Sequence, residues 1–456
     1  MGNMEKLFNA RRVAIIGASL DRGKAGGAIL ENLGRYDLEL FPVNPRYDKF
    51  QGNRWYKNLD DVEEDLDLAI ICLPARGVSK ALRECVKKEV KYSIIIAGGF
   101  GEVGERELED ELKAIIGGSK TRLLGPNTLG VYNPGVIDTM FLSRKRCKRP
   151  GKGEIALISQ SGATASILMD SCSLHDIGFS SFVGIGNRAD IGENELVQHF
   201  ATDPTTGAMA LYIESFADAR ELLEIADRVD KPIVVLKAGR SEEGSKAVLS
   251  HTGSLAKSRD GVIEGIFKQH GITRALDEVE LIDYAKALAY SEPICGTEIA
   301  ILTSAGGPGV IATDYLLEHS LALAKLSEET RGRLKEIALP FASVENPIDL
   351  TASLTADDWK KALGILSDAR EVDAILALTF FQPLGADEYM IEALKHAKKP
   401  IVSVSIGGKY TFDLLKRYEE IRIPAYPTIK EGVKVLRVLV DRGEYLRKRR
   451  EKVKLD

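Results

Sequence analysis

The sequence predicts an α/β protein made of three consecutive parallel-sheet domains, and three observations carry that prediction. Short apolar runs alternate with amphipathic stretches along almost the whole chain, as they do where crossover helices join parallel strands. The runs end in Gly, Pro or Asn turns, as at Ile16-Gly17 and Val43-Asn44-Pro45. With 456 residues the chain also exceeds one ordinary core, and a prior of roughly 150 residues per domain gives about three.

In the first domain, 1–130, strands are expected at 12–16, 38–43, 68–73, 93–97 and 122–124. A linker is expected over 131–153, where Lys145-Arg146-Cys147-Lys148-Arg149-Pro150-Gly151 breaks the pattern. The second domain, 154–290, is expected to hold strands at 154–159, 180–183, 208–214 and 232–237, followed by a Gly- and Ser-rich loop and helices. The third, 291–456, begins after Ser291-Glu292-Pro293-Ile294-Cys295-Gly296, with strands at 298–303, 374–379 and 400–404 and a charged, solvated end over 447–456. The three sets share a plan but no fixed short period, which excludes a solenoid.

A hydrophobic share of 44% beside 28% charged residues marks a soluble globular chain. Its net charge of −5 offers no general attraction to nucleic acid or to an anionic membrane. Cys72, Cys85, Cys147, Cys172 and Cys295 lie far apart, without the CxxC spacing of zinc or redox sites. They read as reduced thiols in a cytoplasmic protein. No apolar leader and no apolar run of membrane-spanning length is present. His175, His199, His270, His319 and His396 sit in or beside amphipathic stretches, no pair has ligand spacing, and no metal site is expected in this chain.

The first strand leads through Gly17-Ala18-Ser19 and Asp21-Arg22-Gly23-Lys24 into a helix, the setting in which a helix start receives a pyrophosphate. A tight turn needs glycine in any case, and the spacing is not the strict dinucleotide fingerprint. After the second strand, Asn44-Pro45-Arg46-Tyr47-Asp48-Lys49 replaces the Asp or Glu of a typical NAD site with cations. Arg46 and Lys49 suit a phosphorylated ribose, either the 2′-phosphate of NADP or the 3′-phosphate of coenzyme A. Pro74-Ala75 and Gly98-Gly99 are placed on the same sheet edge, where glycine lets a ligand approach the backbone. Neither turn supplies an acid or base for hydride transfer.

In the second domain Ser159-Gln160-Ser161-Gly162-Ala163-Thr164 follows a strand and opens a helix, so its N–H groups and hydroxyls can hold a phosphate, or Ser161 can serve as an N-cap. Thr303-Ser304-Ala305-Gly306-Gly307-Pro308-Gly309 repeats the layout in the third domain. Glu214 ends a strand at the edge where parallel-sheet enzymes do their chemistry. On the loop after the next strand, among small residues, stands His251. The two read as a nucleophile and the carboxylate that steadies its cationic form. With Gly244 and Gly253 as hinges, a loop over 239–257 would move its tip about 30 Å.

Gly125-Pro126-Asn127, Ser159-Gln160-Ser161-Gly162, Gly184-Ile185-Gly186-Asn187, Tyr212-Ile213-Glu214-Ser215 and Ser250-His251-Thr252-Gly253-Ser254 together resemble the alpha subunits of ADP-forming acetyl-CoA synthetases, in the succinyl-CoA synthetase superfamily. The resemblance covers essentially the whole chain. It implies a CoA-binding Rossmann domain followed by two flavodoxin-like ligase domains. It further implies phosphorylation of His251, support from Glu214, and phosphate held at Ser161, Gly162 and Ala163, with a second cradle at Gly306 and Gly307. Coenzyme A would contact Gly17, Ser19, Gly23, Lys24, Asn44, Lys49, Pro74, Ala75, Gly98, Gly99 and Asn127. The implied reaction converts acyl-CoA, ADP and phosphate into free acid, ATP and CoA through an acyl phosphate and a phosphohistidine. No ATP-grasp region is found, so ADP and Mg2+ are expected on a beta subunit in an α2β2 heterotetramer. Ala163, Ala165 and Ser166 hint at a small acid such as acetate. The competing readings are an NADP-dependent oxidoreductase and a non-catalytic CoA-sensing module.

Overall fold

Runs of β-branched and small apolar residues form the strands, and the computed structural model describes them within residues 4–50, 53–252, 260–353, 355–383 and 389–453. Two compact units result, Met1–Leu174 with Gly178–Leu281, and His175–Ile177 with Ile282–Asp456.

The first unit opens with α1 (Glu5–Phe8), β1 (Arg12–Ile16), α2 (Ala25–Leu33), β2 (Glu39–Val43) and a small hairpin of β3 (Lys49–Phe50) and β4 (Asn53–Arg54). There follow β5 (Leu68–Ile71), α3 (Ala75–Lys87), β6 (Tyr92–Ile95), α4 (Arg106–Ile116) and β7 (Arg122–Leu124). The five longer strands form a parallel sheet in the order β2-β1-β5-β6-β7. Side chains alternate across a strand, so Val13 and Ile15 enter one core while Ala14 and Ile16 enter the other. Both faces are covered by helices, and the strands accordingly read as continuous apolar runs.

Next come β8 (Val131–Asn133), β9 (Ile137–Asp138), β10 (Lys152–Ser159), α5 (Gly162–Leu174), β11 (Phe179–Gly184), α6 (Glu193–Thr202) and β12 (Ala208–Ile213). α7 (Ala219–Arg228), β13 (Ile233–Lys237), α8 (Glu242–Thr252), α9 (Asp260–Gln269) and β14 (Ile272–Ala275) complete the set. Seven strands run β14-β13-β12-β10-β11-β8-β9, parallel from β10 to β14 and antiparallel at the β8 and β9 edge.

The stretch 131–153 is therefore more than a linker. β8 and β9 are shorter than the four to eight residues over which alternation becomes readable, which is why they escape a sequence reading. The arm that follows is tied down by a fully buried carboxylate. Asp138 accepts from Arg144 at 2.9 Å and from Arg149 at 3.1 Å. Asn32 of α2 donates to the carbonyls of Met140 (2.8 Å) and Leu142 (3.1 Å).

A second difference concerns the expected loop after β13, much of which is the helix α8. Ser241 Oγ accepts from the Gly244 N–H at 2.9 Å, capping the first turn. Glu242 and Glu243 complement the positive helix start, and Lys246 lies 3.5 Å from Glu242 one turn on. Gly244 is inside this helix. Gly253, the other expected hinge, lies outside the described residues.

α10 (Glu278–Tyr290) leads into the third sheet: β15 (Glu298–Thr303), α11 (Gly306–Glu318), β16 (Ala322–Leu323), α12 (Glu328–Ile337), β17 (Ile348–Asp349), α13 (Ala356–Asp368) and β18 (Ala374–Leu378). It ends with α14 (Tyr389–Ala393), β19 (Ile401–Val404), α15 (Lys409–Ile421), β20 (Ala425–Tyr426) and α16 (Ile429–Val453). The order is β16-β15-β18-β19-β20, with β17 also paired to β15. Trp359 and Tyr418 anchor a core of its own. No described helix is long and apolar enough to cross a membrane.

A candidate active site in the first unit

In the seven-stranded sheet the chain leaves β10 toward β11 on one side and later returns to β12 on the other. A crevice opens at the carboxyl ends of strands where the direction of winding reverses. Ser159-Gln160-Ser161 exits β10 at that point, and α5 begins at Gly162. Its first-turn N–H groups have no partner within the helix and face an anion favourably. Ser161 Oγ accepts from the Thr164 N–H at 3.3 Å, so it also caps the turn it belongs to.

Glu214 directly follows β12 and is 6% exposed. Gln160 locks the two strand exits together: its Oε1 accepts from the N–H groups of Glu214 (2.9 Å) and Ser215 (3.1 Å). Arg188 holds the same turn from the other side, donating to Glu193 at 3.0 Å, to the Ser215 carbonyl at 2.6 Å and to Ser215 Oγ at 2.9 Å. Glu193, fully buried, also accepts from the Ala217 N–H at 2.7 Å. Beneath the neighbouring strand end, burial lowers the proton affinity of Lys237, and the Glu214 charge works against that shift.

A cavity of about 730 Å³ gathers Ser161, Gly162, Ala163, Glu214 and Asn127 from the predicted set. The sequence reading missed Gln160, Arg188, Glu102 and Asn187, which line it too. Asn187 donates to Glu102 (2.6 Å) and to Glu109 (3.0 Å). Burial opposes ionisation of Glu102, but the Asn187 amide and the Gly99 and Phe100 N–H groups outweigh it and hold the carboxyl below the usual range. The available sequence signal was the run Gly184-Ile185-Gly186-Asn187-Arg188, whose glycine turn precedes both polar side chains.

That turn is interlocked with the one at Gly125-Pro126-Asn127. The Asn187 N–H donates to the Pro126 carbonyl at 2.9 Å, and a Cβ at Gly186 would stand 2.2 Å from the same oxygen. Gly186→Ala is expected to lower stability by about 1–3 kcal/mol through overpacking. A urea unfolding curve with an unchanged midpoint would refute this.

α8 carries His251 in its last turn, and its imidazole lies outside the described residues. The helix packs beside the short turn Gly101–Val103, and Gly101 and Glu102 of that turn line the cavity. The helix with the candidate nucleophile therefore borders the same site.

The remaining predicted contacts follow the carboxyl edge of the first sheet. Gly17 leaves β1 with φ of +86°, and a Cβ there would lie 2.6 Å from the Cys72 carbonyl oxygen, so only glycine passes. Ser19 is buried and accepts from the Asp21 N–H at 3.1 Å; Gly23 donates to Asp21 at 2.9 Å, and Lys24 is exposed just before α2. Asn44 shapes its own turn, donating to the Ala18 carbonyl at 2.7 Å and accepting from the Arg46 N–H at 3.0 Å. Lys49 belongs to β3, and its side chain is outside the described residues. Pro74 and Ala75 open α3; a Cβ at Gly99 would touch Ala75 at 3.3 Å, and one at Gly98 would meet Asn127 at 3.1 Å. This edge thus runs from Gly17 past Ala75, Gly98 and Gly99 to Asn127 in the cavity.

Gly306 and Gly307 open α11 in the second unit, as expected. A Cβ at Gly306 would meet Asp349 Oδ2 at 3.0 Å, so a carboxylate faces the place where an anion was expected. The Cys72 and Cys85 thiols are pushed up to about 12 by burial, which makes them inert at neutral pH.

A glycine-rich sheet edge that meets a helix start in one cavity is the arrangement of a CoA-ligase-type α/β protein, and comparison with known proteins agrees. Residues 11–134 match the CoA binding domain model, and residues 152–288 match the succinyl-CoA ligase like flavodoxin domain model. Acetate–CoA ligase [ADP-forming] of Methanocaldococcus jannaschii is 38% identical over 93% of this chain, which spans 61% of that protein. Acetate–CoA ligase [ADP-forming] I subunit alpha of Pyrococcus furiosus is 37% identical, with 99% of this chain and 100% of that subunit aligned. The structure of acetyl-coenzyme A synthetase 1 from Ca. Korarchaeum cryptofilum, in complex with phosphate and ADP, superposes with a TM-score of 0.90 at 34% identity, covering 100% of this chain and 99% of that one. The chain belongs to the ADP-forming acetate–CoA ligase family.

Proposed function

We propose that this chain is the alpha subunit of a reversible ADP-forming acyl-CoA synthetase acting on acetyl-CoA. Coenzyme A lies along the carboxyl edge of the first sheet and delivers its thioester to the cavity. Phosphate held by the α5 start attacks the thioester carbonyl, the C–S bond breaks, CoA leaves as the thiol, and an acyl phosphate remains. His251 then takes the phosphoryl group, releasing the carboxylic acid, and Glu214 steadies the cationic imidazole that forms. Transfer from phosphohistidine to ADP yields ATP. ADP and Mg2+ bind on an ATP-grasp beta subunit in a cytoplasmic α2β2 assembly, so the segment bearing His251 must reach beyond this chain.

The observation that carries this reading is the single cavity that joins the α5 helix start to the buried Glu214, with α8 at its border. The test is to combine the chain with its cognate beta subunit, ADP, Mg2+, phosphate and acetyl-CoA. ATP should form only when both chains are present. Binding of CoA with no ATP formed and no histidine phosphorylation would favour a CoA sensor instead.

A further inference from the structure

The acyl group is the part of the substrate that the polar machinery leaves undefined, and the cavity has an apolar wall beside the phosphate cradle. Ile96, Leu129, Phe141 and Leu142 line it together with Ser161, Gly162 and Ala163. Leu129 is 4% exposed and its Cβ lies 3.7 Å from the point a Cβ on Gly162 would occupy. In an acyl phosphate the acyl carbon is separated from phosphorus by one bridging oxygen. A phosphoryl group at the Gly162 end of α5 would thus leave the acyl chain within reach of Leu129, which packs beside Gly162.

The wall is held from behind. Thr128 Oγ1 donates to the Gly184 carbonyl at 2.5 Å and accepts from the Gly130 N–H at 3.0 Å, so both neighbours of Leu129 are pinned. Phe141 sits between Met140 and Leu142, whose carbonyls accept from Asn32 at 2.8 and 3.1 Å; Arg149 also donates to the Leu142 carbonyl at 2.9 Å. Side chains at these two positions thus set the free volume without setting the backbone. Ala163 and Ser166 share the lining, whereas Ala165, expected beside them, is fully buried on the core face of α5. The other side of the cavity carries Glu102, Glu109 and Asp110 together with Arg106 and Lys113, and Lys113 pairs with Glu109 at 3.0 Å and with Asp110 at 3.5 Å, so the charges there are mixed and the apolar wall is what bounds the acyl chain.

We infer that Leu129 and Phe141 determine acyl-chain length, restricting the enzyme to short acyl chains. This rests on the proposed function. The experiment compares wild type, Leu129→Ala and Phe141→Leu, each assembled with the cognate beta subunit. ATP formation is followed with acetyl-, propionyl-, butyryl- and phenylacetyl-CoA. One methylene in an apolar pocket discriminates by roughly 10-fold or more, so kcat/KM for butyryl-CoA relative to acetyl-CoA should rise by about that factor in each variant. Phe141 is 36% exposed, so Phe141→Leu keeps its fold and decides the question if Leu129→Ala does not. Acyl preferences unchanged in folded variants would overturn the inference. Failure of wild type with every thioester would instead remove the proposed function beneath it.

Discussion

His251→Asn should abolish ATP formation, by more than about 10,000-fold, as expected when a covalent nucleophile is removed from a two-step transfer. Asparagine keeps a polar side chain of moderate size but has no ring nitrogen to form a phosphoramidate. Incubating the chain with beta subunit, Mg2+ and γ-labelled ATP should place acid-labile phosphoryl label on wild type and none on the variant. CoA binding, which depends on the first sheet's edge, should be unchanged. Label that persists on the variant would remove His251 from the mechanism and move the search to another residue of this chain.

Glu214→Gln isolates charge from shape. The Gln160 clamp accepts from the backbone N–H of residue 214, so the strand exit keeps its geometry. What disappears is the negative charge available to a cationic imidazole. Histidine phosphorylation should slow by about 100-fold to 10,000-fold, the span usual for a positioned acid-base group, with CoA affinity retained. Lys237 supplies an internal control, because the Glu214 charge, together with that of Asp260, favours its protonated form against burial. Loss of the Glu214 charge should depress the Lys237 proton affinity further, visible as a titration midpoint of its labelled Nζ displaced toward lower pH. Undiminished phosphorylation would make Glu214 a structural residue.

The parallel strands were legible because runs such as Val13-Ala14-Ile15-Ile16 are apolar on both faces and end in turn residues. β8, β9, β16, β17 and β20, of two or three residues, leave no periodicity to read. The Gly and Ser residues of α8 read as a loop, whereas the Ser241 cap and the Glu242 to Lys246 spacing are the marks of its helix. At the site, Ser161, Gly162, Ala163, Asn127 and Glu214 could be placed because all stand at carboxyl ends of strands or open the helix that follows. Arg188 and Glu193 pair across a turn whose first residue has φ of +57°; the glycines before it mark a turn, but its left-handed bend and its partner are not spelled in the letters. Leu129 and Phe141 were indistinguishable from core, since an apolar residue facing a cavity is spelled like one facing another apolar residue.

The interlock of Gly186 with Pro126 bears on how such chains can be recombined. An evolutionary or laboratory crossover placed between the two turns would pair a glycine-shaped notch from one parent with a carbonyl position from another. Because a Cβ at position 186 would stand only 2.2 Å from the Pro126 oxygen, small differences in either parent would spoil the fit. The turns around residues 126 and 186 should therefore be inherited as a pair, and viable exchange points should fall outside the stretch they enclose.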